Sequence, residues 1–362
     1  MTAPAGLLTL HALADLGEGI ALRAAEAIAQ ARGGAAGRPQ PQRAEARSIR
    51  IPEPPLVLRD VAPLVPGVVP APPTGWRGTL GVALYDFGVA ALRWELAWPG
   101  DAEWDAVVAE AARLVHRLPA WEWAGPALEA LEQVLRPAII EPERGAAREE
   151  YAILRLHAEP AGGITERDLT RLLLDEARPL APAAREALLG RDFRYTPADR
   201  VVVAYDAALV VEPDPADADV EFLLEFANAQ LLELQVYERL LDARLPQLEA
   251  GATRAPGLRA GRRMQRLLSE IHLVAATTAR LVERADNALR ITDDIWLARV
   301  YRAALEVMNE PAWRREVEKK LQLARSTAES LNDLAAAARS EFLEAVIIAL
   351  IGFEILLTLL GR

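Results

Sequence analysis

In the run EFANAQLLELQVYERLLD, Glu225, Asn228, Gln230, Glu233 and Tyr237 place carboxylate, amide and phenol groups along one helix-forming segment. On a helical wheel Asn228 and Gln230 flank the apolar stripe rather than facing water squarely. Polar groups in that position either fix helix register or form a binding surface. Acid–base chemistry would need a pocket in which carboxylates near Glu225 or Asp286 converge. A second constellation is Arg254, Arg259, Arg262, Arg263 and Arg266 around the Pro256-Gly257 turn. Its guanidiniums suit lipid headgroups or RNA phosphates, and equally a solvated loop. A third is Glu354 with Thr358 one turn on, inside the apolar run AVIIALIGFEILLTLLG. At a bilayer centre a charged group costs roughly 2.5–3.5 kcal/mol, so Glu354 there must be protonated, paired or turned toward another helix.

Other chemistries are excluded by what the 362 residues lack. There is no cysteine, which removes disulfides, thiolate metal sites and thiol nucleophiles. His11, His116, His157 and His272 are isolated in sequence and read as surface or satisfied core side chains rather than ligands. There is no phosphate-binding glycine loop with its Lys-Ser or Lys-Thr, no H-E-x-x-H and no serine in a G-x-S-x-G elbow. Gly17-Glu18-Gly19 lacks the third glycine of a dinucleotide site. No catalytic residue, cofactor or metal is expected. The net charge of −11 disfavours a polyphosphate partner. Thr253 to Leu343 nevertheless carries net +4 where the remainder carries −15, so nucleic acid stays open as a partner without being favoured.

The elements that would hold these groups fall into two halves. In the first, strands are predicted at Leu7 to Ala12, Thr79 to Tyr85, Gly88 to Trp98, Tyr151 to His157 and Arg200 to Val211. The second and third form a hairpin over Asp86-Phe87, with Gly88 available for a positive φ. Helices are predicted over Ile20 to Gln30, ended by Gly33-Gly34, over Ala102 to Leu118, and over Pro126 to Leu135 with the proline near its first turn. Two more open at Thr165 and Pro182. Residues 35–74 read as a flexible loop rich in Pro, Arg and Gly, with one short strand at Leu56 to Arg59. Strands interleaved with helices predict a mixed sheet with helices packed on it.

Beyond Pro213 and Pro215 the pattern is helical almost to the end. One helix is expected from Asp219 to Leu245, stopped by Pro246. A second carries Met264, Leu267, Ile271, Val274, Thr278, Leu281, Ala285 and Leu289 at heptad-like spacing. A shorter one covers Asp294 to Met308. Pro311 opens a last helix in which Val317, Leu321, Ala324, Ala328, Leu331, Ala335, Ala338, Phe342 and Ala345 keep the seam. As one helix to Leu360 it would be about 75 Å long. Its apolar end, about 25 Å, lies at the short limit of a membrane span, and the other reading is a buried helix in an oligomer core.

The run from Glu225 to Leu234, the spacing of Glu283, Arg284, Ala285 and Asp286 to Asp294, Tyr301 with Lys320-Leu321, and Leu343-Glu344 before IIALIGFEI resemble the required-for-meiotic-nuclear-division family, a domain of unknown function. The turn Tyr85-Asp86-Phe87-Gly88-Val89 is similar to that family's aromatic-Gly-Val-Val turn, while Ala90-Ala91 departs from its bulkier strand. The resemblance implies a single C-terminal membrane anchor with an intramembrane glutamate, here Glu354, and no established enzymatic activity. It also implies, from organellar relatives, tethering of ribosomes or messages to a membrane. With no transit peptide visible at the start, the chain reads as a bacterial member.

The expectation is therefore an α+β protein. Residues 1–213 form a mixed sheet with packed helices, 214–343 an all-helical antiparallel coiled-coil-like region, and 344–362 an anchor in the bacterial cytoplasmic membrane, with the bulk of the chain cytoplasmic. Its expected role is a non-enzymatic scaffold that self-associates through the helical region and the tail residues Ile347, Ile351, Glu354 and Thr358, and presents the α+β domain to an unidentified protein or ribosome partner. The alternative is an RNA- or ribosome-binding factor using the arginines around Arg259.

Overall fold

The computed structural model describes residues 1–38, 53–142, 147–189, 191–252, 269, 276 and 295–360. Two compact units divide the chain: residues 1–236 with 281–312, and residues 237–280 with 313–362.

The first unit is built on a nine-stranded sheet. Its strands are β1 (Gly6–Asp15), β3 (Ala36–Gly37), β4 (Leu56–Leu58), β5 (Arg77–Leu84), β6 (Val89–Ala97), β8 (Arg148–Leu156), β9 (Asp192–Phe193), β10 (Arg200–Val203) and β11 (Ala207–Val211). Their order across the sheet is β3-β4-β5-β6-β1-β8-β11-β10-β9. The β8/β11 pair is parallel and every other neighbour antiparallel. A separate small ribbon pairs β2 (Gly17–Ile20) with β7 (Ile139–Pro142). The expected α+β class with a mixed sheet is what forms.

Period-2 alternation explains why the sheet is covered on both sides. Leu8, Leu10, Ala12 and Ala14 of β1 join the core beneath α1 (Leu22–Ala31), α2 (Trp104–Arg117), α3 (Ala120–Leu135) and α4 (Glu166–Leu174). Residues of opposite parity, Thr9, His11 and Leu13, face the other side and are also buried. There the sheet meets the first turns of α6 (Asp219–Ala252), which follows α5 (Pro182–Leu189), while α7 (Ile295–Val307) packs on β10. A strand buried on both faces needs near-continuous hydrophobicity, which LLTLHALA supplies apart from Thr9 and His11.

Local signals placed most of these elements. The β5–β6 hairpin closes with Tyr85 N–H donating to Val89 C=O at 2.8 Å, and Gly88 has φ +104°. Thr165 caps α4 in a reciprocal box with Asp168. The differences have identifiable causes. Arg200 to Val211 is two strands, because Ala204 N–H bonds Ala207 C=O at 2.9 Å and turns the chain at Tyr205-Asp206. Helix α3 starts six residues before Pro126 and tolerates it internally; those extra turns bury Trp123, whose ring centroid lies 5.3 Å from that of Trp94. Pro246 likewise sits inside α6.

In the second unit α6 continues from Tyr237, and α8 (Glu310–Leu360) is a single 51-residue helix. Asn309, with φ +58°, ends the turn before it, and Pro311 sits in its first turn. Lys320 Nζ lies 2.6 Å from Glu238 Oε1 and 2.6 Å from Asp242 Oδ1 on successive turns of α6. The partner seen beside this part of α8 is thus α6. The expected heptad helix from Met264 to Leu289 lies outside the described residues. As to the expected membrane anchor, no helix among the described residues is long and apolar enough to cross a membrane.

Gly88 offers a sharp check on the hairpin. A Cβ there would lie 2.0 Å from Gly17 C=O as well as holding a strained φ. Gly88→Ala should cost about 1–3 kcal/mol or more in urea unfolding, whereas Gly100→Ala, where nothing lies within 4 Å, should be within about 0.5 kcal/mol of the parent.

Candidate functional site

The most concentrated polar constellation in the first unit is centred on Glu225. Strand pairing sets His11 of β1 directly opposite Arg93 of β6 and Tyr151 of β8. Tyr85 follows β5 at the hairpin. Helix α6 lays Glu225 over this row with 1% of its side chain exposed. Arg93 grips it with a fork: Nε donates to Oε2, and Nη2 donates to Oε1 at 2.7 Å. Tyr85 donates its hydroxyl to Oε1 at 2.6 Å, and His11 Nδ1 stands 3.1 Å from Oε2. Two strands and the hairpin turn therefore converge on one carboxylate.

Burial alone would raise the Glu225 pKa; the Arg93 guanidinium and His11 outweigh it and hold the carboxyl below the usual range. Burial and the adjacent Glu225 charge push the Tyr85 phenol well above its ordinary value. Burial opposes the Arg93 charge, but Glu225 more than restores it. An ionised carboxylate, a fixed guanidinium and a phenol that keeps its proton form a clamp between the sheet and α6.

One turn earlier, Glu221 meets Arg155 of β8 at 2.9 Å, and Arg155 donates to the carbonyls of Asp214 and Asp217 at 2.7 and 2.6 Å. Burial pushes Glu221 up to about 7 against the pull of Arg155. Further along α6, Asn228 Nδ2 donates to Leu224 C=O at 2.9 Å, Tyr301 of α7 donates to Gln230, and Gln235 bonds Glu149. Glu233 is fully buried. Rings of Tyr85, Phe87, Phe222, Phe226 and Tyr301 enclose the group, with neighbouring centroids 5.2–6.5 Å apart.

With this geometry in view, comparison with known proteins becomes informative. Residues 5–218 match the family model described as the N-terminal domain of uncharacterized protein MJ0711. The chain belongs to this family. Uncharacterized protein MJ0711 of Methanocaldococcus jannaschii is 22% identical over 199 residues, covering 53% of this chain and 58% of that protein. The chain thus spans little more than half the length of this relative. No solved structure matches. A domain of unknown function was expected; the required-for-meiotic-nuclear-division family was the wrong one. The matched segment contains the whole sheet and stops one residue before α6, so the family domain supplies His11, Tyr85, Arg93 and Arg155, and α6 supplies their carboxylates.

Of the residues singled out in the sequence, Glu225, Asn228, Gln230 and Glu233 come together as buried groups on α6. Arg284, Asp286 and Asp294, like Arg254, Arg259, Arg262, Arg263 and Arg266, lie outside the described residues. Ile347 and Ile351 are exposed on α8, 54% and 52%, and the side chains of Glu354 and Thr358 are outside those described. His11, Tyr85, Arg93, Arg155 and Glu221 were missed. Their signal was a charged or imidazole residue inside each of the otherwise apolar runs LLTLHALA, VAALRW and YAILRL, a pattern that implies partners from an element laid across the strands.

Removing Glu225 leaves Arg93 buried without its counter-charge, so Glu225→Ala should lose about 3–5 kcal/mol in urea unfolding. The pH profile carries two opposite signatures. The folded pKa of Glu225 is depressed, so its contribution is present above the unfolded carboxylate range and lost as pH falls below about 4. The folded pKa of Glu221 is raised, so its contribution is complete below about pH 4 and is lost as pH rises through about 7. Unfolding measured from pH 3 to 9 should therefore lose its acid decline in part in Glu225→Gln and its decline between about pH 4 and 7 in Glu221→Gln.

Proposed function

We propose that the protein is a non-enzymatic scaffold whose α+β unit is offered to a cytoplasmic partner by a helical region that ends in a membrane-associating tail. The observation that carries this reading is the end of α8. Val346, Ile347, Ile348, Leu350, Ile351 and Phe353 are each 36–70% exposed there. At 100° per residue these positions spread over more than half the helix circumference, wider than the single stripe a surface helix turns to its own core. The apolar sequence continues to Leu360 with Glu354 as its one charge. Water contact on six such side chains forgoes on the order of 5–10 kcal/mol of burial, and contiguous exposed apolar surface of this kind marks an interaction site. A bilayer would cover all sides of the helix at once. Self-association of tails around a protonated or paired Glu354 fits the same reading. The Glu225 clamp supports the non-enzymatic part, because the Glu225 carboxylate is sealed beneath α6 and already engaged by Arg93 and Tyr85.

Fractionation of cells expressing the full chain or a version ending at Ser340, followed by carbonate extraction, tests the proposal. The full chain should remain in the pellet and the shortened chain should be released. Release of both removes the bilayer from the proposal. In that case a shortened chain that sediments at a lower mass than the full chain identifies the tail as an oligomer core.

A further inference from the structure

A groove of about 400 Å³ lies in the first unit between α5, the start of β9 and α7, lined by Glu186, Arg191, Phe193, Arg299, Arg302 and Glu306 with two small alanines. Strand alternation explains its charge. Asp192 and Arg194 point away and are satisfied there: Arg200 Nη2 donates to Asp192 Oδ2 at 2.7 Å, and Arg194 Nη2 donates to Glu159 Oε1 at 2.6 Å. Residues of the other parity, Arg191 and Phe193, line the groove. On α7, Arg299, Arg302, Ala303 and Glu306 follow i, i+3, i+4, i+7 spacing and present one face. Three guanidiniums from two separate elements thus converge, and none of them has a carboxylate within ion-pair distance among the described residues.

We infer that this groove binds a small phosphorylated molecule. The volume falls in the range of small-ligand sites. Planar guanidiniums match phosphoryl oxygens with bidentate geometry. Half-buried Phe193 supplies an apolar surface for the ester's organic part. Glu186 and Glu306 on the rim reduce the lining to net +1, which suits one phosphoryl group and its hydroxyls rather than a polyphosphate chain; the overall charge of −11 points the same way. This inference is independent of the tail and of the scaffold reading.

The test uses the full chain with inorganic phosphate and, separately, a nucleoside monophosphate as probes, in titration calorimetry at ionic strength held constant with chloride. Saturable binding is expected, weakened at least tenfold in Arg191→Ala, Arg299→Ala and Arg302→Ala. Arg302→Lys, which keeps the charge and loses the fork, should recover only part of the affinity. Matched thermal unfolding without ligand checks that each variant is folded, which surface positions such as Arg299 and Arg302 permit. Heat or stabilisation by phosphate no greater than by chloride would overturn the inference, as would affinity unchanged in all three alanine variants. Tighter binding of single-stranded RNA than of either probe would overturn it too, since a chain tracking the backbone is not the occupant argued for.

Discussion

Everything on one side of the nine-stranded sheet depends on neutralising the carboxylate of Glu225 where water cannot reach it. A buried carboxylate survives only if paired and hydrogen-bonded, and the pairing groups here come from β1, β6 and the end of β5 at once. That requirement fixes more than one contact. Side chains alternate along a strand, so a one-residue slip of β1 against β6 would turn His11 or Arg93 into the opposite core and leave Glu225 without its charge partner. The same clamp sets where α6 lies along the sheet, because Glu221 must meet Arg155 while Glu225 meets Arg93 one turn later. Apolar packing among Phe222, Phe226 and Tyr301 could tolerate a shifted helix; two charge pairs at a fixed spacing could not.

The arrangement also separates what is built for stability from what is free to bind. The clamp is sealed by aromatic rings, with the Glu225 carboxyl held below its usual range and the Tyr85 phenol well above its own. The groove between α5, β9 and α7 has the opposite character, with arginines that face outward and lack carboxylates of their own among the described residues. The family match sharpens this division. It covers the sheet and the helices of one face, together with Arg191 and Phe193, and stops before the two helices that cover the other face. The covering helices lie outside the matched segment; they close the Glu225 cluster and supply Arg299 and Arg302.

Much of the sheet was legible because its signals are local. Hairpin chemistry at Asp86-Phe87-Gly88, the Thr165 cap and the apolar runs of β1, β6 and β8 each act within a few residues. Prolines misled in both directions: Pro126 and Pro246 were read as boundaries, yet both lie inside helices, where packing of residues such as Trp123 outweighs one lost backbone hydrogen bond. The turn at Tyr205-Asp206 was invisible because Val201 to Val211 reads as one β-rich run with no glycine or proline at the reversal. Short strands such as β3 and β9, two residues each, carry no period to detect.

The site itself was half legible, and the missing half has a physical reason. The polar row on α6 stood out because amides and carboxylates beside an apolar stripe conflict with simple amphipathicity. Its partners lie 132 and 140 residues away in sequence for Arg93 and Tyr85, and no local pattern links an arginine on one strand to a glutamate on a distant helix. What a sequence can show is the complementary anomaly, a charge stranded in an apolar strand. His11, Arg93 and Arg155 are three such anomalies, and the pairing register sets His11 opposite Arg93 on adjacent strands. Once β1, β6 and β8 are known to be neighbours, the same-face parity of all three demands an element bearing carboxylates above them, and Glu221 and Glu225, the first acids four residues apart after the sheet, meet that demand.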